Sequence, residues 1–223
     1  MKATETLIHE HEEIQTVLNV LERMCETMKK GHSIPLKQLR LVLKFFRVYV
    51  DELHHGKEED LLIPALLAKG FPMKGGPMCT YFKSLQMEGK PLKEQIAELD
   101  VLLSEQNEKL DSPSPLAVYP IPIVEEHILG KKLLKVMLLE VEKGEQNKNF
   151  SSQTFVKLAR RYIEFLREHI DKENRCLFPM SDNVFDSQEQ KNLEIAYNHF
   201  DATFLERKDI PQLLTQIGEL RIT

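Results

Sequence analysis

His54-His55-Gly56-Lys57-Glu58-Glu59-Asp60-Leu61-Leu62-Ile63-Pro64 is the stretch on which the fold turns, because its skeleton returns later in the chain. His169-x-x-x-Glu173-x-x-x-Leu177-Phe178-Pro179 repeats the histidine, carboxylate, leucine, apolar residue and proline at identical offsets. Residues four apart stand one above the other on one helical face, so each copy brings an imidazole nitrogen and a carboxylate to one point. Two such helices can build one metal site.

Outward from these segments, apolar residues recur at helical spacing almost throughout, and strand-like alternation bounded by turn pairs is scarce. The expectation is an all-α protein, an up-down four-helix bundle with core helices at about 4–30, 35–69, 121–146 and 152–175. Leu7, Ile14, Leu18 and Leu21 give the first helix its apolar face, and Gly31 suits a C-cap just past its end. Pro35 suits the first turn of the second helix, whereas Pro64 and Pro179 should kink or terminate regular helix. The polar run from Gly144 to Asn149 reads as a tight connector. Between the second and third helices lies an excursion, with the inserted part at about 79–119: a Lys74-Gly75-Gly76-Pro77 turn, a helix from Pro91 to Leu110, then Ser112-Pro113-Ser114-Pro115 as a breaker. Asp186-Ser187 with Glu189-Gln190 resembles a capping box that opens C-terminal helices at about 187–219, the last starting at Pro211. No stretch reads as a linker, so one domain over residues 1–223 is expected.

Composition narrows the function. A net charge of −5 with no arginine- or lysine-rich stripe argues against a nucleic-acid partner. Cys25, Cys79 and Cys176 are an odd number without Cys-x-x-Cys spacing, which suggests neither a disulfide framework nor a thiolate zinc site. The N-terminus lacks the apolar core of a signal peptide, and the longest apolar-rich run, Leu61 to Ala68, is too short to span a bilayer. A cytoplasmic protein without a membrane partner is expected.

Helical phase selects the candidate ligands. His54 and Glu58 continue the apolar stripe of Leu43, Phe46 and Val50, whereas His55 follows Lys44, Arg47 and Asp51; His55 and Glu59 are therefore expected at the edge. His169 and Glu173 follow Leu158, Tyr162 and Phe165. His11 continues the Leu7, Ile14, Leu18 face, and His127 lies between Ile123 and Leu134. A single buried histidine is ordinarily a hydrogen-bonded core residue. Four with two glutamates differ, because each unpaired buried carboxylate costs several kcal/mol and no lysine or arginine stands in phase to offset it. A cation would remove that cost. Imidazoles with carboxylates and no thiolate suit iron, manganese or zinc, and two shared carboxylates suit a pair of ions. Ferritin-like di-iron sites use Glu-x-x-His, the reverse order at different spacing, which disfavours a ferritin-like oxidase.

These segments resemble the hemerythrin-like (HHE cation-binding) family. The resemblance rests on His9-Glu10-His11-Glu12-Glu13, His54 to Pro64, Gly75-Gly76-Pro77, Glu126-His127-Ile128-Leu129-Gly130-Lys131 and His169 to Pro179, in that order. It implies a four-helix bundle around two non-haem iron ions, possible oxo- or hydroxo-bridging, and reaction with dioxygen, nitric oxide or peroxide. Manganese or zinc is the lesser expectation. By position, His11, His54, His127 and His169 would be terminal ligands, and Glu58 and Glu173 would bridge. Oxygen carriers of the family place a second histidine four residues after the equivalent of His127; here that residue is Lys131. Two octahedral ions offer about 12 positions, of which four histidines, two bridging carboxylates and one bridging oxygen fill about 10. Glu126, His55 and Tyr119 are candidates for the remainder.

The leading functional expectation is a di-iron protein that binds or senses dioxygen, nitric oxide or iron. Its alternatives are an enzyme-like role in peroxide or nitric oxide reduction or iron–sulfur cluster repair, and a structural helical protein with zinc or no metal. No N-terminal cysteine pair supports the repair version. Cys176 reads as a small core residue ahead of a thiol acting beside the metal, and Met24, Met28, Met137 and Met180 read as core filler. His32 and His199 fall near loops or polar surface. No particular protein partner is indicated.

Overall fold

Ala3–Lys29 forms α1, which buries Leu7, His11, Ile14, Leu18, Leu21 and Cys25 along one stripe and ends where Gly31 turns to φ +86. That left-handed turn lets Gly31 N–H donate to Met28 O and His32 N–H to Thr27 O, satisfying the last carbonyls of the helix. The coordinates are a computed structural model that describes residues 2–71, 91–104, 121–205 and 210–220. Every regular element among the described residues is helical. The Gly75-Gly76-Pro77 turn, Cys79, the Ser112 to Pro115 breaker and Tyr119 lie outside them.

Helix continues without a break from residue 36 to 68, but its winding changes along the way. α2 (Leu36–Phe45) passes into a π-helical stretch, Phe46–His54, then α3 (His55–Lys57), a second π stretch, Glu58–Leu62, and α4 (Ile63–Ala68). Pro64 therefore does not end the helix. It stands in the first turn after the second π stretch, where the widened winding relieves both the missing N–H and the clash with the preceding turn. Pro179 repeats this arrangement: α7 (Ser152–Lys172) runs into the π stretch Glu173–Leu177 and on into α8 (Phe178–Val184).

α5 (Leu92–Ser104) occupies the described part of the excursion, and residues 105–110 of the expected helix lie outside it. α6 (Pro122–Glu145) starts with Pro122 in its first turn and extends through Gly144, so the connector to α7 is shorter than its polar run suggests. Asn147 and Asn149 supply positive φ in that turn, and Ser151 caps α7 by accepting from Thr154 N–H at 3.2 Å. The capping box of α9 (Ser187–Leu205) is present: Asp186 accepts from Glu189 N–H and Glu189 accepts from Asp186 N–H, both at 2.9 Å. α10 (Ile210–Gly218) closes the described chain and packs on α2.

α1 packs on α7, α7 on α6, and α6 on α2 and α5. Their apolar faces meet in two clusters. The larger includes Leu18, Met24, Phe45, Phe46, Met137 and Phe155; the smaller includes Leu7, Leu62, Ile63, Val124, Phe178 and Tyr197. Between them lies a polar layer. His11 falls between Leu7 and Ile14, His54 to Glu58 between Leu53 and Leu62, His127 between Val124 and Leu129, and Glu173 between Ile170 and Leu177. Apolar side chains thus flank the layer on both sides, and the low dielectric they provide strengthens the electrostatic interactions inside it.

Candidate metal centre

Two groups of ligand-type atoms converge there: His11, His54 and Glu173 in one, and His55, Glu58, His127 and His169 in the other, with atoms of each group within 4.8 Å of one another. All seven side chains are buried. His11 Nε2 lies 2.9 Å from His54 Nε2 and 3.1 Å from Glu173 Oε2. Glu173 turns its other oxygen to the second group, with Oε1 3.2 Å from His169 Nε2 and 3.8 Å from His127 Nε2. Glu58 does the same in reverse, with Oε2 3.3 Å from His127 Nε2 and Oε1 3.9 Å from His54 Nε2. Each carboxylate thus spans the two groups.

These residues fit a bound cation. Both oxygens of Glu58 and Glu173, Nε2 of His127 and His169, and both ring nitrogens of His55 are buried without a hydrogen-bond partner. Such atoms are costly to bury alone. Atoms about 2.1 Å from one ion at adjacent positions would lie roughly 3 Å apart, which matches the closest separations here.

Residues 2–115 match the hemerythrin HHE cation binding domain, just over half of the 223-residue chain. This chain belongs to the hemerythrin HHE cation-binding family. Comparison with curated proteins and with solved structures gives no match. The matched part of the HHE chain carries His11, His54, His55 and Glu58; His127, His169 and Glu173 lie beyond it and join the site through the fold.

The structure brings His11, His54, Glu58, His127, His169 and Glu173 to one buried region, but His55 and Glu59, expected at its edge, belong inside as well. Both are buried. The π winding of Phe46–His54 packs more residues into each turn, so consecutive side chains diverge less around the axis and both His54 and His55 face inward. His55 stacks on His127 with ring centroids 3.8 Å apart. Glu126, a candidate for an added ligand, instead accepts from His169 Nδ1 at 2.9 Å and from Lys172 at 2.6 Å.

Lysines do lie in phase, contrary to expectation, but they answer an outer ring of carboxylates. Lys57, fully buried, pairs with Glu10, whose other oxygen is 2.8 Å from His54 Nδ1. Lys172, Glu126 and His169 repeat that chain of contacts. His127 Nδ1 meets Glu59 at 2.8 Å, and His11 Nδ1 meets Asn174 at 2.9 Å. The repeat therefore extends further than the opening motif suggests: Glu10-His11 corresponds to Glu126-His127, Lys57 to Lys172, and Glu59 to Asn174. Reading the motif as His-x-x-Lys-Glu would have exposed the lysines. His55 corresponds to Ile170, so only one half carries the extra imidazole.

Charge follows this asymmetry. Burial depresses His169, but the charge of Glu173 and the bond to Glu126 outweigh it and raise the imidazole to about 9. Burial also depresses His127 and His11, but Glu173 and Glu58, with Glu59 beside His127 and Asn174 beside His11, raise both. Burial pushes Glu173 upward, yet His169, His11 and His127 together hold it well below the usual carboxylate range. His55 goes the other way: burial, reinforced by the charges of His127, His169 and His54, keeps it neutral. Burial also pushes the Cys25 thiol up to about 12, as befits a packing residue. Cys176 packs with its Sγ 3.7 Å from Met180 Sδ. No helix among the described residues is long and apolar enough to cross a membrane.

Proposed function

We propose that this HHE domain holds two non-haem iron ions bridged by Glu58 and Glu173, and that it binds or senses dioxygen, nitric oxide or iron through them. The observation that carries the reading is the straddling of both carboxylates, each with one oxygen on either imidazole group. His11 and His54 would hold one ion, and His55, His127 and His169 the other. Iron supplies a redox-active centre with affinity for small diatomic molecules.

Five imidazoles and four carboxylate oxygens occupy nine of the about 12 positions around two octahedral ions, one more than a four-histidine site provides. Fewer positions for outside ligands favour selective binding over broad turnover. The outer ring of Glu10, Glu59, Glu126 and Asn174 supports the same reading, because metal-bound imidazoles use such acceptors to fix their tautomer and orientation. In this proposal α1, residues 36–68, α6 and α7 are the four helices of an up-down bundle in a single domain, with α5 part of an insertion and α9 and α10 additions.

Elemental analysis of chelator-free protein, with an absorption spectrum of the same sample, tests the proposal. The expected result is close to two irons per chain with ferric charge-transfer absorption in the near ultraviolet. One zinc, or no metal after anaerobic iron reconstitution, would leave a helical scaffold and sink the iron reading.

A further inference from the structure

Outside the metal cluster, and Asp51 beside His55, one buried polar side-chain atom among the described residues lacks a partner: the hydroxyl of Tyr197. Tyr197 is fully buried on α9, a helix beyond the family match. Something must satisfy this hydroxyl, since an unanswered O–H in an apolar setting loses its hydrogen bonds to water without replacement.

The docking of α9 narrows what that is. α9 packs on α1 and on the π stretch Glu58–Leu62. It runs antiparallel to residues 56–69: Glu189 pairs with Lys69 at 2.6 Å near one end, and Asp201 with Lys57 at 2.7 Å near the other. Phe200 presses on Gly56, its Cζ 2.8 Å from where a Cβ would stand. Tyr197 lies one turn before Phe200 and Asp201 on that same face, in the apolar cluster that holds Leu62 and Phe178. Phe178 in turn stacks on His11, with ring centroids 5.3 Å apart. Tyr197 thus lies in the apolar cluster that borders the metal layer on the side of Glu58 and His11, close enough to feel the charges of Glu58 and Glu10. Burial, with the negative charges of Glu58 and Glu10, keeps it protonated and able to donate.

We propose that the Tyr197 hydroxyl donates a hydrogen bond to a small anionic ligand bound at the centre, making it a ligand-positioning residue supplied from outside the four ligand-bearing helices. This rests on the iron-pair reading above. Such a donor favours ligands that carry negative charge when bound and discriminates against neutral ones that cannot accept.

The test uses the full-length protein loaded with ferric iron, with azide as the probe. Iron content of the wild type is measured first, then azide affinity by absorption titration and the shift of the bound-azide vibration on transfer to heavy water. Tyr197→Phe removes only the hydroxyl. It is expected to keep iron content and melting temperature, bind azide about tenfold more weakly, and lose the heavy-water shift that the wild type shows. Wild-type protein that binds iron but shows no heavy-water shift, or Tyr197→Phe with unchanged azide affinity, would overturn this proposal alone and leave the hydroxyl to a buried water. Loss of iron from Tyr197→Phe would make the residue structural and overturn it too. A wild type that takes up no iron pair would overturn the iron reading and this inference together.

Discussion

The rings of His55 and His127 lie face to face, centroids 3.8 Å apart and planes 12° from parallel. Two imidazolium ions would repel in that arrangement, so burial and the neighbouring charges leave His55 neutral while Glu58 and Glu173 hold a proton on His127 in the metal-free chain. A neutral buried imidazole with neither nitrogen hydrogen-bonded is poised for a cation. His55→Ala should therefore lose iron as severely as His54→Ala, with the metal per chain falling by about half or more in elemental analysis after gel filtration. Retention of two tightly bound ions would remove His55 from the ligand set.

That histidine also marks where sequence reading stopped. The limits of α1 and α6, the capping box before α9 and the convergence of six ligand-type residues were legible because they depend on local spacing and apolar phase. The burial of His55 and Glu59 was not, since assigning faces assumed uniform α winding and Phe46–His54 is π-helical. Pro64 and Pro179 gave a partial signal: prolines inside otherwise helical runs coincide with the ends of π stretches. The partnership of Lys57 with Asp201 spans 144 positions and depends on where α9 docks, which no local pattern encodes.

Glu173 contacts imidazoles of both groups, so its loss should be felt in the metal and in the fold. Glu173→Gln keeps the volume but removes the charge that supports protons on His11, His127 and His169. Iron binding should fall below two per chain, and the metal-free melting temperature should drop as well, because breaking a buried charge set by removing one member costs about 3–5 kcal/mol. Parallel elemental analysis and thermal unfolding check both. Unchanged iron content in this variant would refute the bridging role.

The raised His169 imidazole gives a pH window with a definite sign. Its ordinary value is 6.5 and its folded value about 9, so the folded metal-free chain binds the proton more tightly than the unfolded chain. The resulting stabilisation is fully present below pH 6.5 and is lost as pH rises through 9, an effect on the order of 3 kcal/mol. Metal competes for the same nitrogen, so iron affinity should rise across the same interval. Denaturant unfolding of metal-free protein between these limits should show falling stability, while loaded protein should lose little. A flat metal-free profile would contradict the assigned protonation.

The pseudo-repeated contacts predict paired outcomes. Glu10→Gln and Glu126→Gln each weaken the acceptor behind a ligand histidine, His54 and His169 respectively, and each removes one carboxylate charge from beside a buried lysine, Lys57 or Lys172. Both should lower iron affinity by about 10- to 100-fold, measured by competition with a chelator of known affinity. Asn174→Ala, which removes a neutral acceptor from His11, should cost less than either. Equal losses in all three would mean that charge in the outer ring has no bearing on the metal.

Gly56 offers the sharpest test of how α9 is held against the centre. A methyl there would fall 2.8 Å from Phe200 Cζ, within a helix whose own geometry tolerates alanine. Propensity alone would make Gly56→Ala stabilising by about 1 kcal/mol, whereas the forced displacement of Phe200 costs about 1–3 kcal/mol. The clash should win, because the neighbouring Lys57 and Asp201 contact leaves α9 little freedom to slide. Thermal unfolding should show Gly56→Ala destabilised, Gly56→Ala with Phe200→Leu largely restored, and Gly218→Ala, which meets nothing within 4 Å, unaffected or better. Restoration by the second substitution separates a steric cause from damage to the adjacent ligands, since a shortened side chain at 200 cannot repair a metal site that glycine itself was needed to build.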